Sequence, residues 1–218
     1  MQNTNWTKSI FQPNYYDELN KMPDRQRGDG FLKIFEELER QEIKDLRILE
    51  TGCMRPGGEL STDGQSTRLF YEFCKAHDGM LTSVDLDKSH VAHATKSVDS
   101  EHALVYQGDS VDFLWNKLYN IQPFYEADLI YLDSYDVDFR EPWKSNLHHM
   151  KELVGAARYM KSGTIVAVDD CLFLANDTRI APGVRHTMVG KGTFVESFMK
   201  DIGAEQLHNS YQKIWKIK

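Results

Sequence analysis

The chain has 218 residues, of which 41% are hydrophobic and 27% charged, and its formal net charge is −7. This length suits one large domain with a substantial core, and the composition is typical of globular proteins in solution. The acidic balance supplies no basic surface, so we expect no nucleic-acid partner. No apolar run approaches the roughly 20 residues that span a bilayer, and the polar start is unlike a signal sequence. We therefore expect a cytoplasmic protein without a membrane partner.

The three cysteines, Cys53, Cys74 and Cys171, are scattered and form no C-x-x-C pair. Such spacing argues against a disulfide framework or a structural zinc site. It predicts reduced, buried thiols.

Residues 1–45 are expected to form a helical arm or cap packed on a domain formed by residues 46–218. Residues 1–24 are rich in aromatic side chains, which suits a packed arm, a lid or a homodimer contact. Phe31, Ile34, Phe35 and Leu38 recur at helical spacing and predict one buried face. Between these segments, the stretch 25–30 is expected to be a solvated loop, with an approach to a ligand pocket as the alternative.

The central motif begins at a short apolar strand, Leu46 to Leu49, which ends at Glu50. Gly52 allows a sharp turn, and Ser66 is placed to cap a helix over 67–77. This is a strand, turn and helix unit. In open α/β sheets such turns lie where ligands bind, and helix amides there favour an anionic group.

Strands and helices then alternate along the chain, which predicts a parallel sheet with right-handed crossovers. The tail departs from this order, because a helix is followed by two strands joined by a tight turn at Asn209-Ser210. The predicted strands are 80–84, 103–107, 128–132, 164–168, 204–208 and 211–217, and the predicted helices are 89–98, 111–118, 147–160 and 192–202.

Aspartates close several of these strands. Asp85 follows the second strand, where nucleotide-binding folds bond ribose hydroxyls, and Asp87 is placed to cap the next helix. Asp109 follows the third strand and fits either a ligand contact or a helix cap. Asp133 and the pair Asp169-Asp170 follow two later strands. Carboxylates at one sheet edge repel unless they are protonated or neutralised, and an all-oxygen set suits Mg²⁺ or Ca²⁺, although helix capping also explains them.

Glu50-Thr-Gly52 resembles motif I of the class I S-adenosylmethionine-dependent methyltransferases, with the later glycine displaced to Gly64. Dinucleotide and phosphate-loop glycine patterns are missing from this turn. The resemblance implies a Rossmann-like three-layer α/β sandwich, with a mostly parallel seven-stranded sheet and an antiparallel C-terminal hairpin strand. It also implies that S-adenosyl-L-methionine is held by Glu50, Gly52, Gly64, Ser66, Asp85 and Asp109.

Asp133, Asp169 and Asp170 are similar in position to the metal ligands of catechol-, caffeoyl-coenzyme A- and macrocin-type O-methyltransferases. This resemblance implies a divalent cation, Mg²⁺ above all, and methyl transfer to a hydroxyl of a small molecule. Such relatives often carry Lys or His three residues after the first metal aspartate, where this chain has Asp136. The candidate catalytic residues are therefore Asp136 and Asp133, with His148, His149 and His186 as alternative bases.

Other functions stay open at this point. They are a metal-independent methyltransferase acting on nitrogen or a carboxyl group, a nucleotide-sugar or NAD enzyme, and a non-catalytic binding module. The long connection 172–192 suits a lid or binding loop. Its candidate acceptor contacts are Phe173, Arg179, Arg185 and His186.

Overall fold

The computed structural model describes residues 5–123, 125–171, 180–185 and 189–218. Seven strands form one sheet in the order β3-β2-β1-β4-β5-β7-β6. The strands are β1 (Arg47–Thr51), β2 (Met80–Asp85), β3 (Ala103–Gln107), β4 (Leu129–Leu132), β5 (Ile165–Val168), β6 (Glu205–Asn209) and β7 (Lys213–Lys216).

The sheet is parallel from β3 to β5, and the C-terminal hairpin adds β7 antiparallel to β5 and β6 antiparallel to β7. This mostly parallel seven-stranded sheet, with helices on both faces, confirms the predicted Rossmann-like fold. The chain runs outward from β1 to β2 and β3 and then crosses back to β4 on the other side of β1, so the strand order reverses between β1 and β4. A crevice opens at the carboxyl ends of strands at such a point.

The helices agree with the predicted periodicity, with shifted ends. The observed helix that corresponds to predicted helix 147–160 begins earlier, at Trp143, so His148 and His149 lie inside it instead of at its start. The helices are α1 (Thr7–Tyr16, continued by Asp17–Leu19), α2 (Gly28–Arg40), α3 (Leu60–Asp63), α4 (Ser66–Ala76), α5 (Lys88–Ser97), α6 (Ser110–Asp112, continued by Phe113–Lys117 and Leu118–Ile121), α7 (Trp143–Ala156) and α8 (Thr193–Asp201).

Both faces of the sheet are apolar, as expected for parallel strands covered on each side. Neighbouring residues of β1 point into opposite core layers: Ile48 packs with the layer under α2 and α4, and Leu49 with the layer under α6 and α7. Cys53, Cys74 and Cys171 are buried.

In the described parts of the chain, none of the helices combines the length and the apolar character that crossing a bilayer requires.

The N-terminal helix α1 joins the larger aromatic core. Trp6, just before it, lies edge-on to Phe35 with ring centroids 5.0 Å apart, and Phe11 is 5.1 Å from the same ring. Both Trp6 and Phe11 are buried. The segment therefore stabilises the sheet through α2.

Phe11→Ala should lower the free energy of unfolding by about 3–5 kcal/mol, because it opens a cavity between α1 and α2. The adjacent Ile10 is exposed on the same helix. Ile10→Ala is therefore the matched control and should change stability by less than about 0.5 kcal/mol. Urea denaturation measures both. Equal losses in the two variants would show that α1 is not part of the core.

Candidate functional site

A cavity of about 740 Å³ opens at the carboxyl ends of β1, β2 and β4, where the strand order reverses. This volume is in the range of small-molecule sites. Residues that follow all three strands contribute to its wall, and α3 and the segment just before α2 close another side. The strand-end lining comprises Gly52, Cys53, Asp85, Leu86, Asp133 and Ser134.

Gly52 makes the turn after β1 possible. Its φ is +81°, a left-handed conformation that favours glycine, and its N–H donates to the Val84 carbonyl at 2.8 Å. A Cβ atom here would lie 2.6 Å from the Asp133 carbonyl oxygen. The first turn therefore passes directly against the backbone that follows β4.

Gly64 ends α3 with φ +72° and faces Arg27, whose Cδ would lie 2.8 Å from an added Cβ. Gly64 therefore lies in the turn between α3 and α4, directly before the N-cap of α4, and packs against Arg27. A cofactor contact by Gly64 stays a prediction.

Glu50 is fully buried and accepts hydrogen bonds from three hydroxyls. Ser66 Oγ, Thr67 Oγ1 and Ser83 Oγ lie 2.6, 2.8 and 2.6 Å from its carboxylate. Burial raises the pKa of Glu50 to about 7, although the three hydroxyls oppose the shift. Glu50 therefore fixes α4 to β1 and β2 from beneath the cavity wall.

Ser66 does not cap α4, contrary to the prediction. It is the first residue of the helix, and its hydroxyl donates to Glu50. The capping position is taken by Gln65 in a left-handed conformation, with φ +46°. With the Ser66 hydroxyl donating to Glu50, α4 begins without a side-chain cap.

Asp85 closes β2 at the cavity. One of its carboxylate oxygens accepts from the Cys53 N–H at 2.9 Å and the other from the Asp87 N–H at 2.7 Å. Leu86, which sequence reasoning missed, lines the same wall with 70% of its surface exposed. Asp87 caps α5 as predicted. A carboxylate and an exposed apolar side chain thus stand side by side.

Asp109 serves as the N-cap of α6, accepting from the Asp112 N–H at 2.9 Å. This was one of the two roles that the sequence allowed. The cavity lining at the end of β3 is supplied by Gln107. A ligand contact by Asp109 stays a prediction.

The three aspartates that follow β4 and β5 converge as predicted, but the described chain places two of its own cations among them. Lys191 Nζ contacts an oxygen of Asp133 and lies 3.0 Å from Asp170 Oδ2. Arg27 Nε lies 2.7 Å from Asp169 Oδ2, and another guanidinium nitrogen lies 3.1 Å from Asp170 Oδ1. We call these five residues the charge cluster.

Arg27 corrects the expectation of a solvated loop at 25–30. It is buried, and it also donates to the Thr62 carbonyl at 3.0 Å. Its guanidinium lies 4.7 Å from the centre of the Tyr211 ring. Residues from 28 onward belong to α2, so the segment that leads into this helix forms a wall of the site.

The charges of the cluster are strongly interdependent. Burial raises the pKa of Asp133 and of Asp169 above the usual value, with Lys191 and Arg27 respectively opposing the shift. Burial also acts to raise the pKa of Asp170, but the positive charges of Lys191 and Arg27 outweigh burial there and lower this pKa. Burial alone would lower the pKa of Lys191, yet Asp133 and Asp170 raise it.

This arrangement fits a bound metal ion poorly. Both oxygens of Asp170 and one oxygen each of Asp133 and Asp169 already contact Lys191 or Arg27, which leaves Asp169 Oδ1 as a buried oxygen without a partner in the described part of the chain. Within the described ranges, no three side chains of the His, Cys, Asp and Glu types form a group that could hold a metal ion. The cavity beside the cluster does fit a nucleoside ligand, since it offers Asp85, Leu86 and a close backbone turn.

The other predicted bases are less well placed. Asp136 lies on the rim of the cavity, 70% exposed, in an ion pair of 2.7 Å with Arg55. The described lining of the cavity includes neither His148 nor His149. Burial lowers the pKa of His149 to about 4.

Among the candidate acceptor contacts, Arg185 is exposed. Phe173, Arg179 and His186 lie outside the described residues.

No protein-family model matches the sequence. A search of curated proteins likewise gives no match.

Solved structures do match the fold. The calicheamicin methyltransferase CalS11 is 11% identical, with 98% of this chain and 89% of that chain covered at a TM-score of 0.60. The mycinamycin-pathway methyltransferase MycE, in complex with Mg and SAH, is 15% identical, with 88% of this chain covered at a TM-score of 0.58. The match spans about half the length of MycE, 49%. Human methyltransferase-like protein 13, in complex with SAH, is 12% identical, with 86% of this chain and 78% of that chain covered at a TM-score of 0.51. At these identities the likeness establishes the class I methyltransferase fold.

Glu50→Gln should make stability less dependent on pH. The folded state holds the Glu50 proton up to about pH 7, whereas the ordinary value is 4.5. The resulting stability is present below pH 4.5 and is lost as the pH rises through about 7. Relative to the variant, the wild type should therefore lose roughly 3 kcal/mol across this window.

Chemical denaturation on either side of the window measures this difference. Glu36→Gln, an exposed change on α2, is the control and should follow the wild type. Parallel pH profiles for the wild type and Glu50→Gln would contradict the assignment of a proton to buried Glu50.

Proposed function

We propose that this protein is an S-adenosyl-L-methionine-dependent methyltransferase that methylates a hydroxyl of a small molecule. The observation that carries the proposal is the cavity at the strand reversal, bounded by Gly52, Asp85, Leu86 and Asp133. A tight turn, a strand-end carboxylate and an exposed apolar residue are suited to a nucleoside that also bears an amino acid portion.

Each wall has a proposed task. Asp85 accepts from the ribose hydroxyls, since the N–H groups of Cys53 and Asp87 already orient both of its oxygens. Leu86 packs against the adenine ring. Gly52 lets the backbone approach the ligand without a side chain in the way. Glu50 acts from below by holding the start of α4 in place.

The acceptor side of the cavity lies near the end of β4. Bound S-adenosyl-L-methionine would supply a methyl group that is activated by its positive sulfur. Asp133 is the better placed of the two predicted catalytic carboxylates, because it follows β4 at the cavity wall and Lys191 holds one of its oxygens. We propose that Asp133 orients the acceptor hydroxyl and receives its proton. Alignment of this kind supplies a large part of the rate enhancement.

The likeness to enzymes of small-molecule pathways supports a small acceptor. One CalS11 structure describes a TDP-rhamnose 3'-O-methyltransferase, at 14% identity and a TM-score of 0.55, and one MycE structure contains mycinamycin VI, at a TM-score of 0.56. Magnesium in MycE also motivates the metal-assisted form of the proposal. The charge cluster favours its metal-independent alternative, because Lys191 and Arg27 already neutralise the aspartates.

Titration calorimetry with S-adenosyl-L-homocysteine tests the proposed cofactor site. We expect the wild type to bind, and Asp85→Asn to bind about tenfold more weakly, because a hydrogen bond to a charged acceptor is lost. Asp201→Asn, an exposed change at the end of α8, is the control and should bind like the wild type. No binding by folded wild-type protein would refute the methyltransferase proposal.

A further inference from the structure

We infer that the ammonium group of Lys191 is a built-in cation that takes the place of a divalent metal ion between Asp133 and Asp170. The inference rests on the proposed function for the role of the cavity, but the exclusion of metal can be tested without turnover. It assigns Lys191 as a positioning residue for Asp133.

The geometry at Lys191 is that of a site filled by its own side chain. Nζ contacts Asp133 and lies 3.0 Å from Asp170 Oδ2 and 3.4 Å from the Asp133 carbonyl oxygen. An ammonium group has three N–H donors, and these three oxygens surround it. The side chain is 1% exposed, so the charge is held inside the protein and not on its surface.

The second cation completes the cluster from the other side. Arg27 takes one oxygen of Asp169 and the remaining oxygen of Asp170. Tyr211 also donates its hydroxyl to that oxygen of Asp170. Together the two cations engage both oxygens of Asp170, and these oxygens would be central to any metal site at the end of β5.

The backbone fixes Lys191 in this position. Its N–H donates to the Asp170 carbonyl at 3.0 Å, so the returning chain lies directly on the end of β5. At Gly190 an added Cβ would be 2.1 Å from the Cys171 carbonyl oxygen, and at Gly192 it would be 2.6 Å from the Cys171 sulfur. The two flanking glycines therefore allow the approach that carries Lys191 into the cluster.

A divalent ion between the same oxygens would face both the ammonium and the guanidinium at close range. Because such repulsion is strong in a desolvated site, binding of the ion requires Lys191 to leave. Unlike an exchangeable ion, a tethered ammonium keeps Asp133 oriented at all metal concentrations. Chelators should then have no effect on the site.

Mn²⁺ binding, followed by electron paramagnetic resonance, tests this inference directly. Wild-type protein should bind no Mn²⁺ in the charge cluster. Any Mn²⁺ signal that it shows should therefore be the same in Asp169→Asn. Lys191→Met removes the charge at similar length and should bind Mn²⁺ at least tenfold more tightly than wild type. Adding Asp169→Asn to Lys191→Met should abolish the gain. Lys200→Met, at an exposed position of α8, is the matched control and should behave like the wild type.

Thermal unfolding gives a second readout. Millimolar Mn²⁺ should raise the melting temperature of Lys191→Met by roughly 5–10 °C if it binds a hundredfold below that concentration, and should leave the wild type unchanged. Lys191→Arg keeps the positive charge, so it should fold and bind no Mn²⁺. If Lys191→Met does not fold, Mn²⁺ binding by the wild type and by Lys191→Arg is the remaining test of the inference.

Mn²⁺ bound in the cluster of the wild type or of Lys191→Arg would overturn the inference. So would folded Lys191→Met without a gain in Mn²⁺ affinity. Titration of the same proteins with S-adenosyl-L-homocysteine separates the two proposals, because a missing cofactor site would leave the Mn²⁺ results intact.

Discussion

Buried charge at the carboxyl edge of the sheet is the constraint on which the site depends. Asp133, Asp169 and Asp170 are brought together by two parallel strands, and three desolvated carboxylates could not stay charged side by side without compensation. Lys191 and Arg27 supply that compensation. The cluster therefore sets the path of two chain segments that are far apart in sequence, the start of α2 and the return before α8.

This constraint connects the N-terminal segment to the site. Arg27 immediately precedes α2, whose Phe31 and Phe35 belong to the aromatic core shared with α1. Packing of α1 and α2 on the sheet thus positions the cation that pairs with Asp169. Residues before the central motif are part of the cavity wall as well as a cover for the core.

Much of the fold follows from local sequence patterns. Apolar runs such as Leu129–Leu132 predict buried strands, and β2, β4 and β5 each carry a closing aspartate to one edge of the sheet. Asp87 caps its helix because capping needs only neighbouring residues. The sheet edge, the cavity and the meeting of Asp133 with Asp169 and Asp170 were therefore predictable.

The partners of those aspartates were not predictable, because they depend on distant contacts. Arg27 reaches Asp169 across 142 residues and Lys191 reaches Asp133 across 58. Ser66 has a normal capping pattern, yet buried Glu50 takes its hydroxyl. A single leucine between two aspartates gives no pattern that indicates a ligand contact, so Leu86 was not predictable. In the sequence, Gly190 and Gly192 on either side of Lys191 were the available sign of a close backbone approach.

A crystal structure of the wild-type protein, grown with S-adenosyl-L-homocysteine and millimolar Mn²⁺ and measured at the manganese absorption edge, would be most direct. We expect the nucleoside beside Asp85 and Leu86, Lys191 Nζ between Asp133 and Asp170, and no anomalous signal in the charge cluster. An anomalous peak among the three aspartates, with Lys191 displaced, would contradict the assignment of a built-in cation, and a cavity without the nucleoside would contradict the cofactor site.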